Sequence, residues 1–306
     1  MRKAPSGEWL ATVSRSRALH CLCMAAVQCC ALLHLFDDSV NDSRAPARNS
    51  YMKATQIFSL GGTTAMVTGA GTGLGRQFAL TLADAGAAVI LCGRRRPPLD
   101  EVAAGIRHAG GTAHCLSLDI ADAASVEAAF AALDAIGPLD VLVNNAGVGV
   151  GKPLNDTTVE DWQQVMNTNL KGTWLTSLAA VARMGPRGKG SIINISSILG
   201  SAVQKGSGAY AASKAGLTHL TRVMALEWAR FGIRVNVIEP GYFLTGASAD
   251  YLESEAGERL RKRIPQRRLG NLSELDGALL LLASPASSYM TGTTITVDGG
   301  ISLPVI

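Results

Sequence analysis

The chain carries little excess charge of either sign. Its 28 Lys and Arg stand against 24 Asp and Glu, a net +4. Six basic against four acidic residues give +2 over the first 51, and the remainder gives the other +2. So small an excess lends nucleic-acid binding no support. Cysteine is equally sparse where it would matter. Four of the six, Cys21, Cys23, Cys29 and Cys30, fall in the opening 51 residues, with no Cys-x-x-Cys pair and no matching second pair downstream. His108, His114 and His219 show no ligand spacing. The reading is therefore no metal, and reduced thiols in a reducing compartment, with Cys92 and Cys115 as small buried apolar residues in strand runs. From residue 63 onward there is also no internal repeat, Pro-rich linker or long low-complexity segment. What is present, 306 residues of which 47% are hydrophobic and 33 are glycine, suits one α/β domain with ample core.

Apolar strand-like runs alternate with helical patterns from Thr63 to Val297. That alternation predicts a doubly wound Rossmann fold, a parallel sheet of about seven strands with helices on both faces. The run Thr63 to Thr68 leads into Thr68-Gly69-Ala70-Gly71-Thr72-Gly73-Leu74-Gly75 and then a helical pattern carrying Phe78, Ala79, Leu82 and Ala83. Glycines there permit a tight turn and let backbone N–H groups approach a pyrophosphate at the helix N-terminus. A glycine-rich turn alone is weak, but this one has the required strand before it and helix after it. The next strand, Ala87 to Cys92, ends at Gly93 with no carboxylate before Asp100. An NAD-selective site would place an acidic residue there for the ribose 2′-OH. Arg94, Arg95 and Arg96 follow instead, and guanidinium groups suit a 2′-phosphate. NADP(H) is therefore favoured over NAD(H), with Arg94 the best single candidate. The competing reading is a solvated arginine loop before Pro97-Pro98.

Further on, Tyr210-Ala211-Ala212-Ser213-Lys214 lies in a long apolar stretch reaching Phe231. In a helix the four-residue spacing puts the phenol and the ammonium on one face. A phenol is a poor acid or base at neutral pH, and a nearby ammonium lowers its pKa, which makes proton transfer accessible. Ser197 follows the buried-strand run Ser191 to Ile195, so its hydroxyl emerges at a carboxyl end, where open α/β sheets bind ligands. Taken alone, Tyr-x-x-x-Lys is equally an amphipathic helix with a solvated lysine. Joined to the glycine turn, it describes hydride transfer.

These motifs, in order and spacing, closely resemble those of the short-chain dehydrogenase/reductase superfamily, over nearly all of residues 56 to 306. Beside Gly69, Thr72, Gly73, Leu74 and Gly75 stand Asp119-Ile120, closing the third strand where the family contacts adenine, and Asn144-Asn145-Ala146-Gly147 after the strand Val141 to Val143. The plainer role for Asn144 and Asn145 is a polar turn that stabilises the central strand. Asn167-Thr168-Asn169-Leu170 resembles the family's segment bearing a catalytic asparagine. After the strand Arg234 to Ile238, Pro240-Gly241-Tyr242-Phe243-Leu244-Thr245 resembles the loop at the nicotinamide end, with Pro240, Gly241 and Thr245 as contacts. Val297-Asp298-Gly299-Gly300 resembles the C-terminal signature. The resemblance implies that Tyr210 exchanges a proton with the substrate oxygen, Ser197 holds that oxygen, and Lys214 lowers the Tyr210 pKa and bonds the nicotinamide ribose. Asn169 would hold a water linking Lys214 to solvent. It also implies a homotetramer, with the helices around Asn169 and Tyr210 and the C-terminal strand at the interfaces. One departure is Glu239, where relatives usually have a small residue; it points outward or alters the cofactor pocket.

Residues 1 to 51 match nothing in the family and read as an extension to a catalytic domain over residues 52 to 306. Met52 sits where relatives commonly begin, so an over-extended reading frame is the leading explanation. A mitochondrial presequence is second, with Arg15, Arg17 and several serines for it and Glu8 against. A membrane anchor is third, because Ala18 to Phe36 only just reaches spanning length, and its flanking charges would put the catalytic domain across the membrane. A cytoplasmic protein off the membrane is expected.

The segment Tyr242 to Gly270 covers the substrate in relatives. Here it offers Tyr242, Phe243, Tyr251 and Leu252, then Arg259, Arg261, Lys262, Arg263, Arg267 and Arg268. The basic cluster either attracts an acidic carrier or coenzyme A phosphates, or is a solvated helix face balanced by Glu253, Glu255 and Glu258. The substrate is a small-molecule carbonyl or alcohol. The first choice is NADPH-dependent reduction of a ketone or 3-oxoacyl group, as in 3-oxoacyl-[acyl-carrier-protein] reductases. The runner-up is a sugar or polyol dehydrogenase, because Phe58-Ser59-Leu60-Gly61-Gly62 also resembles gluconate 5-dehydrogenase-like members. A catalytically silent nucleotide-binding regulator is the alternative of another class, and the intact Asn169, Ser197, Tyr210 and Lys214 set argues against it.

Overall fold

A computed structural model describes residues 56–244 and 254–303, all within the unit Lys53–Ile306. Residues 1–52, Thr245, Tyr251, Leu252 and Glu253, to which the sequence assigns roles, lie outside the described residues.

The strands are β1 (Thr64–Thr68), β2 (Ala88–Gly93), β3 (Ala113–Ser117), β4 (Val141–Asn144), β5 (Gly190–Ile195), β6 (Ile233–Pro240) and β7 (Thr294–Val297). The helices are α1 (Gly73–Asp84), α2 (Arg96–His108), α3 (Ala123–Asp134), α4 (Val159–Met166), α5 (Thr173–Met184), α6 (Gly208–Trp228), α7 (Glu255–Arg263) and α8 (Asp276–Ala283). Every pairing is parallel, and the sheet order is β3-β2-β1-β4-β5-β6-β7. The expected seven-stranded, doubly wound sheet is what forms. Strand order reverses between β1 and β4, which opens a crevice at the carboxyl ends.

Side chains alternate across each strand, and both faces are buried, so the strands read as continuous apolar runs. In β1, Ala65 and Val67 join Phe78 and Leu82 of α1, Leu99 and Val102 of α2, and Leu279 and Leu282 of α8. Met66 faces the other way, toward Phe130 and Leu133 of α3, Met184 of α5, and Met224 and Trp228 of α6. Phe78 and Phe130 are fully buried, each contributing roughly 2–3 kcal/mol of apolar burial. The sheet ends on the crevice side are therefore held from both faces.

At the end of β4 the buried Asn144 donates to Ser177 Oγ and Asn194 Oδ1, both at 2.9 Å, and accepts from Thr176 Oγ1 at 2.7 Å. Asn194 in turn donates to Thr221 Oγ1 at 2.8 Å. This satisfied network ties β4 and β5 to α5 and α6. Asn144 supports the central strand, as its structural reading expects.

Three expectations shift. The third strand stops at Ser117, before Asp119, because the Asp119 N–H donates to Ser125 Oγ at 2.9 Å and the Asp119 carboxylate accepts from Ala121 N at 3.0 Å, turning the chain toward α3. Strand β6 runs two residues past Ile238, with Glu239 opposite Thr296 and Pro240 opposite Val297. Proline offers no N–H, and Gly241 N–H takes up the bond to Val297 O at 2.9 Å. Cys115, on the edge strand, is only half-buried, whereas Cys92 is fully buried and burial pushes its thiol pKa up.

Candidate active site

A cleft of about 590 Å³ occupies the carboxyl ends of the strands. Its floor is the turn between β1 and α1. Gly69 and Gly73 adopt φ of +67° and +54°, the left-handed region that favours glycine. A Cβ on Gly75 would lie 2.1 Å from Gly69 O and 2.5 Å from Asn145 Nδ2, so only hydrogen fits there. Asn145 Nδ2 donates to Thr68 O at 3.0 Å and Gly69 O at 3.3 Å, while Thr68 Oγ1 accepts from the N–H groups of Asn145 and Ala146, each at 3.0 Å. The sequence leaves the Thr68 hydroxyl unassigned; the neighbouring glycines hide its cross-strand role. Thr72 is the extended N-cap of α1, and no acidic residue stands in the first turn. The exposed N–H groups and the helix dipole are thus open to an anion. This cradle fits a dinucleotide pyrophosphate.

Gly69, Thr72, Leu74 and Gly75 line the cleft, and Gly73 shapes the turn beneath it. Arg94 lines it at the end of β2. So does Arg95, which the sequence ranks lower. Arg96 is instead paired with Asp100 at 2.8 Å. Further along, Asp119 and Ile120, then Asn145, Ala146 and Gly147, form the wall on either side of β1, and Pro240 and Gly241 stand at the far end. Thr245 lies outside the described residues.

Ser197, Tyr210 and Lys214 meet at that far end. Ser197 is 8% exposed, and its Oγ accepts from Leu199 N at 3.1 Å, capping the 3-10 turn Ile198–Gly200. Tyr210 sits in the first turn of α6 and Lys214 one turn later, as the spacing predicts. The Lys214 ammonium is buried, donates to Ile195 O at 2.7 Å and stands 5.6 Å from the Tyr210 ring centroid. Burial lowers its pKa from 10.5 to about 8. The Tyr210 phenol moves the other way: burial raises its pKa, and a hydrogen bond with Ser197 opposes that rise. The ammonium, expected to lower the phenol's pKa, is directed here at the Ile195 carbonyl. Sequence reasoning missed Ile195, whose backbone oxygen leaves no side-chain signal.

Asn169 is fully buried in the π-helical turn Asn167–Gly172 that joins α4 to α5. Such turns recur at functional sites. Its Oδ1 accepts from Val148 N at 2.8 Å, and its Nδ2 donates to Val148 O at 2.8 Å and Ser213 Oγ at 3.0 Å. Both amide hydrogens are committed, leaving one further lone pair on Oδ1 for a water. A Cβ on Gly147 would lie 3.3 Å from Asn169 Oδ1 and 3.6 Å from Lys214 Nζ, so the two groups flank that glycine.

At the mouth, Tyr242 and Phe243 line the cleft, and Tyr242 Oη donates to Gln204 Oε1 at 2.7 Å. Three carboxylates meet part of the basic cluster: Arg259 pairs with Glu255, Arg261 with Glu258 at 3.4 Å, and Arg268 with Glu274 at 2.6 Å. Glu239, at 5% exposure, does not point outward, and its carboxylate accepts from Thr218 Oγ1 of α6 at 2.8 Å.

Known proteins resemble this chain in sequence and fold. A family model described as enoyl-(acyl carrier protein) reductase matches residues 69–302. Gluconate 5-dehydrogenase of Gluconobacter oxydans is 37% identical over 254 residues, 82% of this chain and 99% of the relative. The structure of a gluconate 5-dehydrogenase from Burkholderia cenocepacia in complex with NADP and tartrate superposes with a TM-score of 0.80 at 37% identity, covering 83% of this chain and all of that one (100%). That of a 3-oxoacyl (acyl-carrier-protein) reductase from Agrobacterium tumefaciens with NADP bound gives 0.78 at 33% identity, covering 83% and 99%. With the glycine cradle, the parallel sheet and the Ser197, Tyr210 and Lys214 cluster already in place, these likenesses show that the chain belongs to the short-chain dehydrogenase/reductase superfamily, NAD(P)-dependent oxidoreductases acting on alcohol and carbonyl groups.

Proposed function

We propose that the chain uses NADP(H) to interconvert a ketone and a secondary alcohol on a small polyhydroxylated substrate, with Tyr210, Ser197 and Lys214 as its reacting groups. The observation that carries the cofactor choice is the pair Arg94 and Arg95 lining the cleft at the end of β2, where no carboxylate stands beside them. NADP in related structures supports the same choice. When bound, the cofactor supplies the hydride. Ser197 holds the substrate oxygen by a hydrogen bond as charge develops on it. Tyr210, whose buried phenol stays protonated at neutral pH, gives that oxygen its proton in the direction of reduction. Lys214, at a pKa of about 8, is charged but close to its titration point, which suits a group that passes protons onward. Asn169 fixes Gly147 and Val148 beside it through the Val148 backbone.

The polyol reading is supported by the gluconate 5-dehydrogenase relatives and by Tyr242 and Gln204, polar groups at the mouth. Pairing of the basic cluster with Glu255, Glu258 and Glu274 weakens the case for an acidic carrier. Reduction of a 3-oxoacyl thioester is the second reading, supported by the likeness to a 3-oxoacyl reductase. We also infer a cytoplasmic homotetramer. Bacterial relatives support the location; the exposed Trp174 and Leu178 of α5 and Val223 and Leu226 of α6 support the assembly, and a mass measurement showing only monomer at micromolar concentration would contradict it. The chemistry is tested by titrating the chain from Met52 with NADPH and NADH, followed by a panel of keto sugars, simple ketones and acetoacetyl thioesters. Tighter NADPH binding with keto-sugar turnover is expected. Preference for NADH would leave Arg94 facing solvent, and turnover of thioesters alone would select the second reading.

A further inference from the structure

Behind the cleft lies a buried carboxylate that the mechanism above does not use. Glu239 is the penultimate residue of β6 and only 5% exposed. Its Oε1 lies 2.8 Å from Thr218 Oγ1, which in turn lies 2.9 Å from Ser196 Oγ. Ser196 Oγ donates to the main-chain oxygen of Lys214 at 3.0 Å. Three elements thus meet in one chain of polar contacts: the end of β6, the end of β5 and the second turn of α6.

The position of that chain gives it consequence. Lys214 is held twice by the end of β5, its carbonyl by the Ser196 hydroxyl and its ammonium by the Ile195 carbonyl at 2.7 Å. Ser197 is the next residue along. Each hydroxyl has one proton: that of Thr218 is shared between two acceptors, Glu239 Oε1 and Ser196 Oγ, while Ser196 spends its own on the Lys214 carbonyl. A small side chain at residue 239 would give the whole Thr218 proton to Ser196 Oγ and draw α6 onto the end of β5. We propose that Glu239 is a positioning residue, which through Thr218 and Ser196 sets the register of β5 against α6 and hence the separation of Ser197 from Tyr210 and Lys214.

The inference rests on the assignment of Ser197, Tyr210 and Lys214 as the reacting groups, and Tyr210→Phe tests that assignment separately. In Glu239→Ala, kcat should fall about 10–100-fold, the scale expected when reacting groups are misplaced by less than an ångström or so, and the cofactor Kd should change by less than kcat does, because the network does not include the glycine turn between β1 and α1. Glu239→Gln keeps an oxygen that accepts from Thr218 and should restore kcat to within about threefold. The alkaline limb of the kcat profile should move in Glu239→Ala and stay in place in Glu239→Gln. If Glu239→Ala does not fold, the double variant Glu239→Gln with Thr218→Val decides: it breaks the link without leaving a buried carboxyl group unpartnered, and should show the same loss of kcat. Wild-type kcat in Glu239→Ala or in the double variant overturns the proposal, as does a Glu239→Gln chain as impaired as Glu239→Ala. A dead Tyr210→Phe beside a normal Glu239→Ala would sink this inference alone; an active Tyr210→Phe would sink the assignment beneath it.

Discussion

Replacing Lys214 by methionine should make the protein more stable and inactive together. The ammonium is buried at 4% residue exposure, and its pKa is lowered from 10.5 to about 8. At about 1.4 kcal/mol per tenfold change, holding the charged form in that environment costs roughly 3 kcal/mol of folding stability at neutral pH. Methionine has a similar reach and no charge. Its introduction forfeits the charged hydrogen bond to Ile195 O, worth about 2 kcal/mol. The net gain is about 1 kcal/mol, or about 2–4 °C in Tm for a domain of this size. The sign depends on pH in a defined way. Below pH 8 both folded and unfolded chains carry the protonated lysine and the parent bears the full cost; from pH 8 to 10.5 the folded amine is neutral while the unfolded one is still charged, and the cost fades as pH rises. The advantage of Lys214→Met in denaturant or thermal melts should therefore be largest at pH 7 and vanish or reverse above pH 10.5. A variant less stable than the parent at pH 7, or a difference that does not change with pH, would refute the reasoning.

Three further outcomes follow from the geometry. Gly75→Ala, whose methyl would meet Gly69 O at 2.1 Å, should weaken dinucleotide binding at least about 100-fold in fluorescence titration, a loss of close backbone approach at the turn. Asn144→Ala should cost about 2–4 kcal/mol in denaturant unfolding, because Asn194 and Thr176 lose partners in a buried network. Arg94→Ala should raise the NADPH Kd about tenfold or more and leave the NADH Kd nearly unchanged, the mark of a contact to the 2′-phosphate alone.

The parts legible in the sequence are those whose signal is local. A glycine turn between strand and helix, a four-residue Tyr to Lys spacing and a serine following an apolar strand each encode position within a few residues. The structure brings all three to one cleft. What the sequence concealed depends on contacts between distant segments. Lys214 is anchored by a backbone oxygen 19 residues away, Glu239 by a threonine 21 residues away, and Asn169 by the Val148 backbone 21 residues away. No spacing rule reports which carbonyl an ammonium will choose, so the Lys214 contact with Ile195 left no signal in the sequence. The end of β3 was misplaced for a similar reason, since Ser125 in the following helix captures the Asp119 N–H and ends the strand early.

The central claim is that Tyr210 moves the proton while the rest of the cleft holds the dinucleotide. Tyr210→Phe, assayed for turnover and titrated with NADPH in the same preparation, tests it most directly. The account predicts that turnover falls by about 10²–10⁴, the usual contribution of a positioned acid, with cofactor Kd unchanged within a few-fold. Turnover retained near the parent's rate would contradict it.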